Sequence, residues 1–426
     1  MTTFLIVFLL VFGLNTLLWT SAGLIRVIAG RTRSATRPPR RVPWSRQGPG
    51  PTVGDVAVLM AAHNEEAVIG HTLEALEVFG PDLRVFLVSD GSSDGTVEIA
   101  RDHGADVLDL TVNRGKAGAL VEAIRHFRLA ERFEVLLLLD ADTHLAADYF
   151  ETGLPAFADD GVVAVAGRAT TLLVPRSPTL AGRILLAYRE RVYIAMQYLF
   201  KFGQAARYAN VVPIVPGFAS MYRTRILADI DIEVPGLKIE DYNMTFEVHA
   251  KRLGRIAFHP HAAIALTQDP DTLADYVKQV ERWNLGFWQT VLRHRFHLRG
   301  FWFALLLFIA ELLVASIALV LVLPALTVSV VASLVPGWSF LGDAIPPLAL
   351  ALGVVLPDYL LTVLAAVVAR SRAYLIYGLV FPLFRVIDAI LCLVALFKAV
   401  FVRSSGRWSS PSRRPTAVPH AASAEQ

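Results

Sequence analysis

Residues 134–145 read EVLLLLDADTHL. Five apolar residues, Val135 to Leu139, run directly into two acids, Asp140 and Asp142. A short apolar run of this kind reads as a strand buried on both faces, the signature of a parallel sheet. Two carboxylates one residue apart at its end repel each other, and burial disfavours their charged forms. The pair calls for a positive group beside it.

Outward from this stretch, strand and helix alternate. Val56 to Met60, Arg84 to Val88 and Asp106 to Leu110 read as strands, and Glu65 to Phe79, Gly95 to His103 and Gly115 to Leu129 as helices. After the strand at Glu134 to Leu139, Leu145 to Phe157 reads as helical. Such alternation predicts an α/β fold with a doubly wound, mostly parallel sheet, whose ligands bind beyond the carboxyl ends of the strands. The polar motifs fall there: HNEE (63–66), SDGSSDGT (89–96), NRGKAG (113–118) and DADT (140–143). Each alone would pass for a turn or a helix cap. Together, at four strand ends on one edge, they point to a nucleotide site.

Composition places this domain at a membrane. The 426 residues are 54% hydrophobic with a mean hydropathy of +0.50, too apolar for an ordinary soluble enzyme. Phe4 to Ile28 is long enough to span and is followed by Arg31, Arg33, Arg37, Arg40, Arg41 and Arg46. That asymmetry predicts an uncleaved anchor with residue 30 onward on the cytoplasmic side. Apolar runs return at Phe301–Leu334, Pro346–Ala369 and Ala373–Val402, the last carrying Arg385 and Asp388. This last run reads either as a span with an internal ion pair or as a helix in the interface. The expected organisation is an anchor over 1–29, an Arg/Pro-rich linker over 30–51 and a cytoplasmic domain over 52–298. About three C-terminal spans over 299–402 and a disordered tail over 403–426 follow. The plasma membrane is the expected location. Cys392 is the only cysteine, so neither an internal disulfide nor a cysteine-held metal is available.

The motifs AAHNEE, SDGSSDGT, NRGKAGAL, DADT, KIED and QVERW, in this order, resemble the membrane-embedded family 2 glycosyltransferases of the GT-A fold. The resemblance is to the branch of cellulose, chitin, hyaluronan and poly-β-1,6-N-acetylglucosamine synthases. It runs from about Val56 to Trp283 and more loosely into GRWSSPSRR of the tail. It implies an inverting transfer from a UDP-sugar, with N-acetylglucosamine the leading candidate, to a growing polysaccharide. It also implies Mg2+ or Mn2+ held by Asp142, with Asp140 facing the ribose or the metal shell. A divalent cation neutralises charge on a departing diphosphate, and it would offset the repulsion between the two acids. Both acids as mere turn caps is the competing reading.

The resemblance further implies that Glu65 and Asp90 contact the uridine, although relatives usually carry two acids where this chain has Ser89 and Asp90. Two readings of His63 stay open: a ring stacked on the base, or a loop histidine with no ligand role. Lys116, in a Gly-flanked loop opening a helix, suits an anionic ligand. Gly217, in PGFASMYR, matches the stretch beside the acceptor sugar and allows close backbone approach. Asp241 matches the catalytic base, with helix capping as its bland alternative. Gln279, Arg282 and Trp283 stand at i, i+3 and i+4 and share one helix face, suited to a diphosphate and a sugar ring. An amphipathic helix leading into the membrane explains that spacing less well, and Glu281 should point elsewhere. Leu180 to Tyr208 reads equally as an interfacial or a buried helix. His259 and His261 flank Pro260 but have no third ligand near, and stand outside the predicted site.

Two further readings compete: a single transfer to a lipid or lipid-linked glycan, and a non-catalytic membrane scaffold for a partner synthase. The presence of Asp140, Asp142 and Asp241 weighs against the scaffold. A nucleic-acid partner is not expected; a partner subunit or homo-oligomer stays open.

Overall fold

The computed structural model describes residues 13–34, 50–335 and 346–402. The polar tail and the turn between the apolar runs lie outside them, as does most of the Arg/Pro linker. Strands β1 (Val56–Ala62), β2 (Arg84–Asp90), β3 (Asp106–Leu110) and β4 (Val135–Asp140) run parallel to one another. The full sheet has seven strands in the order β3-β2-β1-β4-β8-β6-β9, with β6 at Val162–Val165, β8 at Ala219–Arg223 and β9 at Arg255–Ala257. β8 is antiparallel to both of its neighbours. The sheet is thus mostly parallel, as the alternation predicts.

Its core explains why the strands read as continuous apolar runs. Leu59, Ala61, Leu136 and Leu138 pack into one hydrophobic cluster, and Val58, Met60, Leu137 and Leu139 into another. Alternate residues of a strand point to opposite faces, so a sheet covered on both sides needs apolar residues at every position.

The segment after β4 departs from the expectation of a helix from Leu145 to Phe157. Thr143–Leu145 forms β5, which pairs antiparallel with β10 (Ile264–Thr267), itself parallel to β7 (Arg168–Thr171). Helix is confined to Tyr149–Gly153, and a 3-10 turn carrying Pro155 follows. The β-pairing takes the first residues, and proline has no amide to continue an α-helix. Likewise the first expected helix begins at Ile69 instead of Glu65, because residues 63–66 are spent on loop contacts.

Helix α1 (Leu14–Ser34) packs on the segment that follows α2 (Leu180–Ile194), a π-helical turn over Ala195–Lys201. A Cβ on Gly203 would lie 2.1 Å from the Trp19 carbonyl, so only glycine fits that crossing. Buried Tyr188, Arg189 and Arg191 on α2 favour the buried reading of this region over the interfacial one. Helix α3 (Glu240–Ala250) follows the segment after β8, and α4 (Leu273–Arg293) starts on Thr272, whose hydroxyl accepts the Asp275 amide at 3.2 Å. Among the described residues two helices, α5 (Gly300–Leu334) and α6 (Pro347–Val368), are long and apolar enough to cross a membrane. The apolar part of α1, Leu14–Ile28, is shorter.

The last helix, α7 (Phe381–Phe401), lies along α4, with the Trp288 indole donating to the Cys392 carbonyl at 3.1 Å. Its charged residues do not pair with each other as one sequence reading had it. Asp388 accepts from Tyr188 at 2.6 Å and from Tyr276, while Arg385 lies 3.6 Å from Asp358. Asp358 of α6 also meets Arg191 at 2.8 Å. A buried ion pair of this kind adds little net stability, but losing one partner is costly, so it fixes the register of the helices it joins.

Candidate active site

A cavity of about 1510 Å³ opens at the carboxyl ends of β1 and β4 and extends between α4, α5 and α7. Glu65, Lys116, Asp140, Asp142, Gly217, Asp241, Gln279, Arg282 and Trp283 all line it. Sequence reasoning drew these residues from segments far apart in the chain, and the fold brings them to one volume. His63 and Asp90 do not line it.

The loops at the strand ends are knitted together by their own polar groups. The Glu65 amide donates to Thr96 at 2.9 Å, the Ser93 amide to Asn64 at 2.8 Å, and the Gly95 amide to Glu66 at 2.9 Å. Asp90 is fully buried, and its two carboxylate oxygens accept the Arg114 and Gly115 amides at 2.7 and 2.9 Å. It therefore ties the end of β2 to the NRGK loop. The His63 ring lies 2.8 Å from the Asp90 carbonyl. These contacts account for SDG and HNEE as loop architecture and aim Lys116 into the cavity.

Lys116 supplies the positive group that the opening stretch calls for. Its ammonium lies 2.7 Å from Asp140 and 3.2 Å from Glu240. Burial alone would favour its neutral form, yet Asp140, Glu240 and Asp241 outweigh that and raise its pKa above the usual lysine range. Asp142 is 5% exposed and faces the same cavity.

Asp241 sits in the first turn of α3, where the helix dipole favours an acid. Its carboxylate accepts the Gly217 amide at 3.1 Å and its neighbouring Tyr242 amide at 2.7 Å. Burial and the adjacent Glu240 push its pKa up to about 7, against the pull of the Gly217 amide and Lys116. A Cβ on Gly217 would stand 3.3 Å from Glu240, 3.4 Å from the Asp241 Cβ and 3.7 Å from the Lys116 ammonium. The close approach anticipated at this glycine is present, and it brings the loop against both acids and the lysine.

On α4, the Arg282 Nε and the Gln279 Oε1 are buried with no hydrogen-bond partner. Buried polar atoms are rarely left unpaired in a finished structure, so each suits a ligand group. Glu281 is tied to Lys398 of α7, yet it lines the same cavity as Arg282 and so does not point away from it as the spacing predicts. The Trp283 ring carries the Arg189 guanidinium 4.4 Å from its centroid. Arg189 in turn pairs with Asp269 at 3.2 Å. The sequence reading named neither Arg189 nor the role of Glu240 as partner of Lys116; arginines recurring inside the apolar Leu180–Tyr208 run were the available signal.

Among the described residues no group of three or more His, Cys, Asp and Glu side chains is assembled to hold a metal. The donors at the end of β4 are nonetheless carboxylate oxygens in a cavity wall, beside carboxylates that already attract a cation, Lys116. That chemistry fits a hard divalent ion held by one or two carboxylates, with phosphate and water completing its shell.

Comparison with known proteins gives the family and the fold. The family model described as glycosyltransferase like family 2 matches residues 51–286. The poly-beta-1,6-N-acetyl-D-glucosamine synthase of Staphylococcus epidermidis is 27% identical over 256 residues, 59% of this chain and 57% of that protein. Its Staphylococcus aureus counterpart is 26% identical over 247 residues, 57% and 56% of the two chains. The chain thus spans a little over half the length of these curated relatives. A mannosyltransferase from Pyrobaculum calidifontis, solved with GDP-Man and Mn2+, aligns with a TM-score of 0.52 at 16% identity. The alignment covers 91% of this chain and 97% of that one, and it establishes a shared GT-A fold.

Proposed function

The chain belongs to glycosyltransferase-like family 2, and on that premise we propose that it is an inverting membrane enzyme moving N-acetylglucosamine from UDP to a growing polysaccharide. The observation that carries this reading is one cluster. Lys116 bridges Asp140 and Glu240, Asp241 adjoins them, and the orphaned Arg282 Nε faces the same cavity. The resemblance to polysaccharide synthases supports the choice of sugar and acceptor.

In this mechanism Glu65 lines the nucleoside end, and His63 and Asp90 act from behind by holding the loops. Asp142 and Asp140 would hold Mg2+ or Mn2+, which when bound supplies positive charge to the diphosphate. Asp241 takes the proton from the attacking acceptor hydroxyl; its raised pKa makes it a stronger base than an ordinary aspartate. The hydroxyl oxygen bonds to the anomeric carbon from the face opposite the phosphate, and the carbon–oxygen bond to UDP breaks. Arg282 and Lys116 stabilise the charge that collects on the leaving diphosphate. Gly217 lets the acceptor approach Asp241, and Gln279 and Trp283 hold its ring.

A catalytic domain on the cytoplasmic face of the plasma membrane, carried by α1 and the C-terminal helices, gives access to a cytoplasmic sugar nucleotide. Transfer of one sugar to a lipid-linked acceptor is the second reading. It is favoured by Leu312, Leu319 and Leu361 of α5 and α6, which line the inner end of the cavity.

The test is a panel of UDP- and GDP-sugars given to the purified full chain with Mg2+ or Mn2+. UDP-N-acetylglucosamine should be turned over to UDP and a polymer. Preference for a GDP-sugar would overturn the donor assignment, and products one sugar longer than the acceptor would favour the lipid-linked reading.

A further inference from the structure

The same cavity is lined by a second lysine that the mechanism does not use. Lys201 ends the π-helical turn, is only 8% exposed, and lines the cavity. Its ammonium stands 5.2 Å from the centroid of the Phe258 ring and has no carboxylate or hydrogen-bond partner among the described residues. Gln204, three residues on, is 4% exposed, lines the same wall and likewise has no side-chain partner. Gln197, earlier in the turn, is by contrast fully spent: its amide bonds both the N–H and the C=O of Ala169 at 2.8 Å.

Unlike the Arg282 Nε and the Gln279 Oε1, the polar ends of Lys201 and Gln204 are not sealed off: both open onto the cavity, where a ligand can meet them. A ligand that fills the cavity displaces the water on both groups and must supply partners in its place. The turn is held rigidly enough to present them. Arg26 of α1 donates to the Phe202 carbonyl at 2.8 Å, and Gly203 sits against the Trp19 backbone. Pro213, Pro216 and Gly217 line the cavity along with this turn and with Asp241. Burial lowers the Lys201 pKa to about 8, and the charge of Asp241 opposes that fall, which sets the two side chains within electrostatic reach. Lys201, Gln204, Gly217 and Asp241 line one cavity, and an acceptor held at Asp241 shares it with them.

We propose that Lys201 and Gln204 read an acetamido group on the acceptor sugar. The ammonium donates to its carbonyl oxygen, and the Gln204 carboxamide oxygen accepts its N–H. The pair completes an amide on both sides, and the lysine excludes an acceptor end whose free amine is protonated. Both residues are then specificity determinants for an N-acetylated acceptor. This rests on the polysaccharide reading above for the identity of the acceptor, but it is tested by binding, independently of turnover.

The experiment uses the purified full chain in detergent, loaded with UDP and Mg2+. It is titrated with an N,N′-diacetylated glucosamine disaccharide and with its free-amine counterpart. The parent should bind the acetylated form at least about tenfold more tightly, as expected where buried polar groups would otherwise stay unpaired. Lys201→Met should bring the two affinities within about threefold, chiefly by admitting the amine. Lys201→Arg should keep the preference, and unchanged UDP affinity reports that each variant is folded. A Lys201→Met protein that retains the full preference, or a parent that binds both sugars alike or neither, overturns the proposal. Failure to turn over UDP-N-acetylglucosamine would instead overturn the functional reading and leave the binding ratio to decide this one.

Discussion

Replacing Asp241 by asparagine isolates the proton-transfer role, because the two side chains are nearly the same size. The structure sets the terms more tightly than that substitution usually allows. One carboxylate oxygen accepts the Gly217 amide at 3.1 Å and the other the Tyr242 amide at 2.7 Å. Asparagine has only one acceptor oxygen, so its NH2 must face one of these donors and leave it unpaired. An unpaired buried donor costs roughly 1–3 kcal/mol. Against this, the variant no longer buries an ionised carboxylate beside Glu240, the arrangement that raises the Asp241 pKa. The two effects oppose each other, and the substitution leaves Ile239 as the N-cap of the helix. Asp241→Asn should therefore fold. Transfer should fall by roughly a hundredfold to ten-thousandfold, the range for a positioned general base. The assay is UDP release at saturating donor and acceptor, beside a UDP titration and a thermal melt. UDP affinity should stay within a few-fold of the parent, because Asp241 serves the acceptor and not the diphosphate. Transfer within about threefold of the parental rate would refute the assignment, and Glu240, which shares Lys116, would become the base.

The same carboxylate sets a pH profile. It accepts a proton only when ionised, so with a pKa raised to about 7 the rate should decline about tenfold per unit below that value and level off above it; an acid limb placed near 4 would remove Asp241 from the role. Arg282→Ala should lose most activity, because the fixed cation beside the diphosphate is gone. Glu281→Ala breaks only a partly exposed ion pair with Lys398, worth about 1 kcal/mol or less, and should be mild. The reverse order of severity in a turnover assay would reject the helix-face assignment. Chelation should abolish transfer, and Mg2+ or Mn2+ should restore it. Asp142→Ala should give the same loss without unfolding and, unlike Asp241→Asn, with weakened UDP binding; full turnover in excess chelator would refute metal dependence.

The sequence by itself determined the sheet and its active edge. Strands buried on both faces must be apolar at every position, so Val56–Ala62 and Val135–Asp140 announce themselves without their neighbours. Polar loops at the carboxyl ends of such strands mark a site, because the covered faces of the sheet leave a ligand nowhere else to go. The three-residue spacing of Gln279 and Arg282 likewise survives folding, since helix geometry is local.

What only the tertiary structure decided are the pairings between distant segments. Lys116 finds Glu240 as well as Asp140, Asp90 is consumed in holding the NRGK loop, and Arg189 reaches across to Trp283. The short strands β5, β7 and β10 are equally invisible in sequence, because a strand of three or four residues is defined by the partners it meets. Lys201 and Gln204 are the plainest case. In the sequence they are two polar residues in an apolar, aromatic and basic run. Their lack of a side-chain hydrogen-bond partner among the described residues, while both line the cavity, exists only once the chain has closed around them.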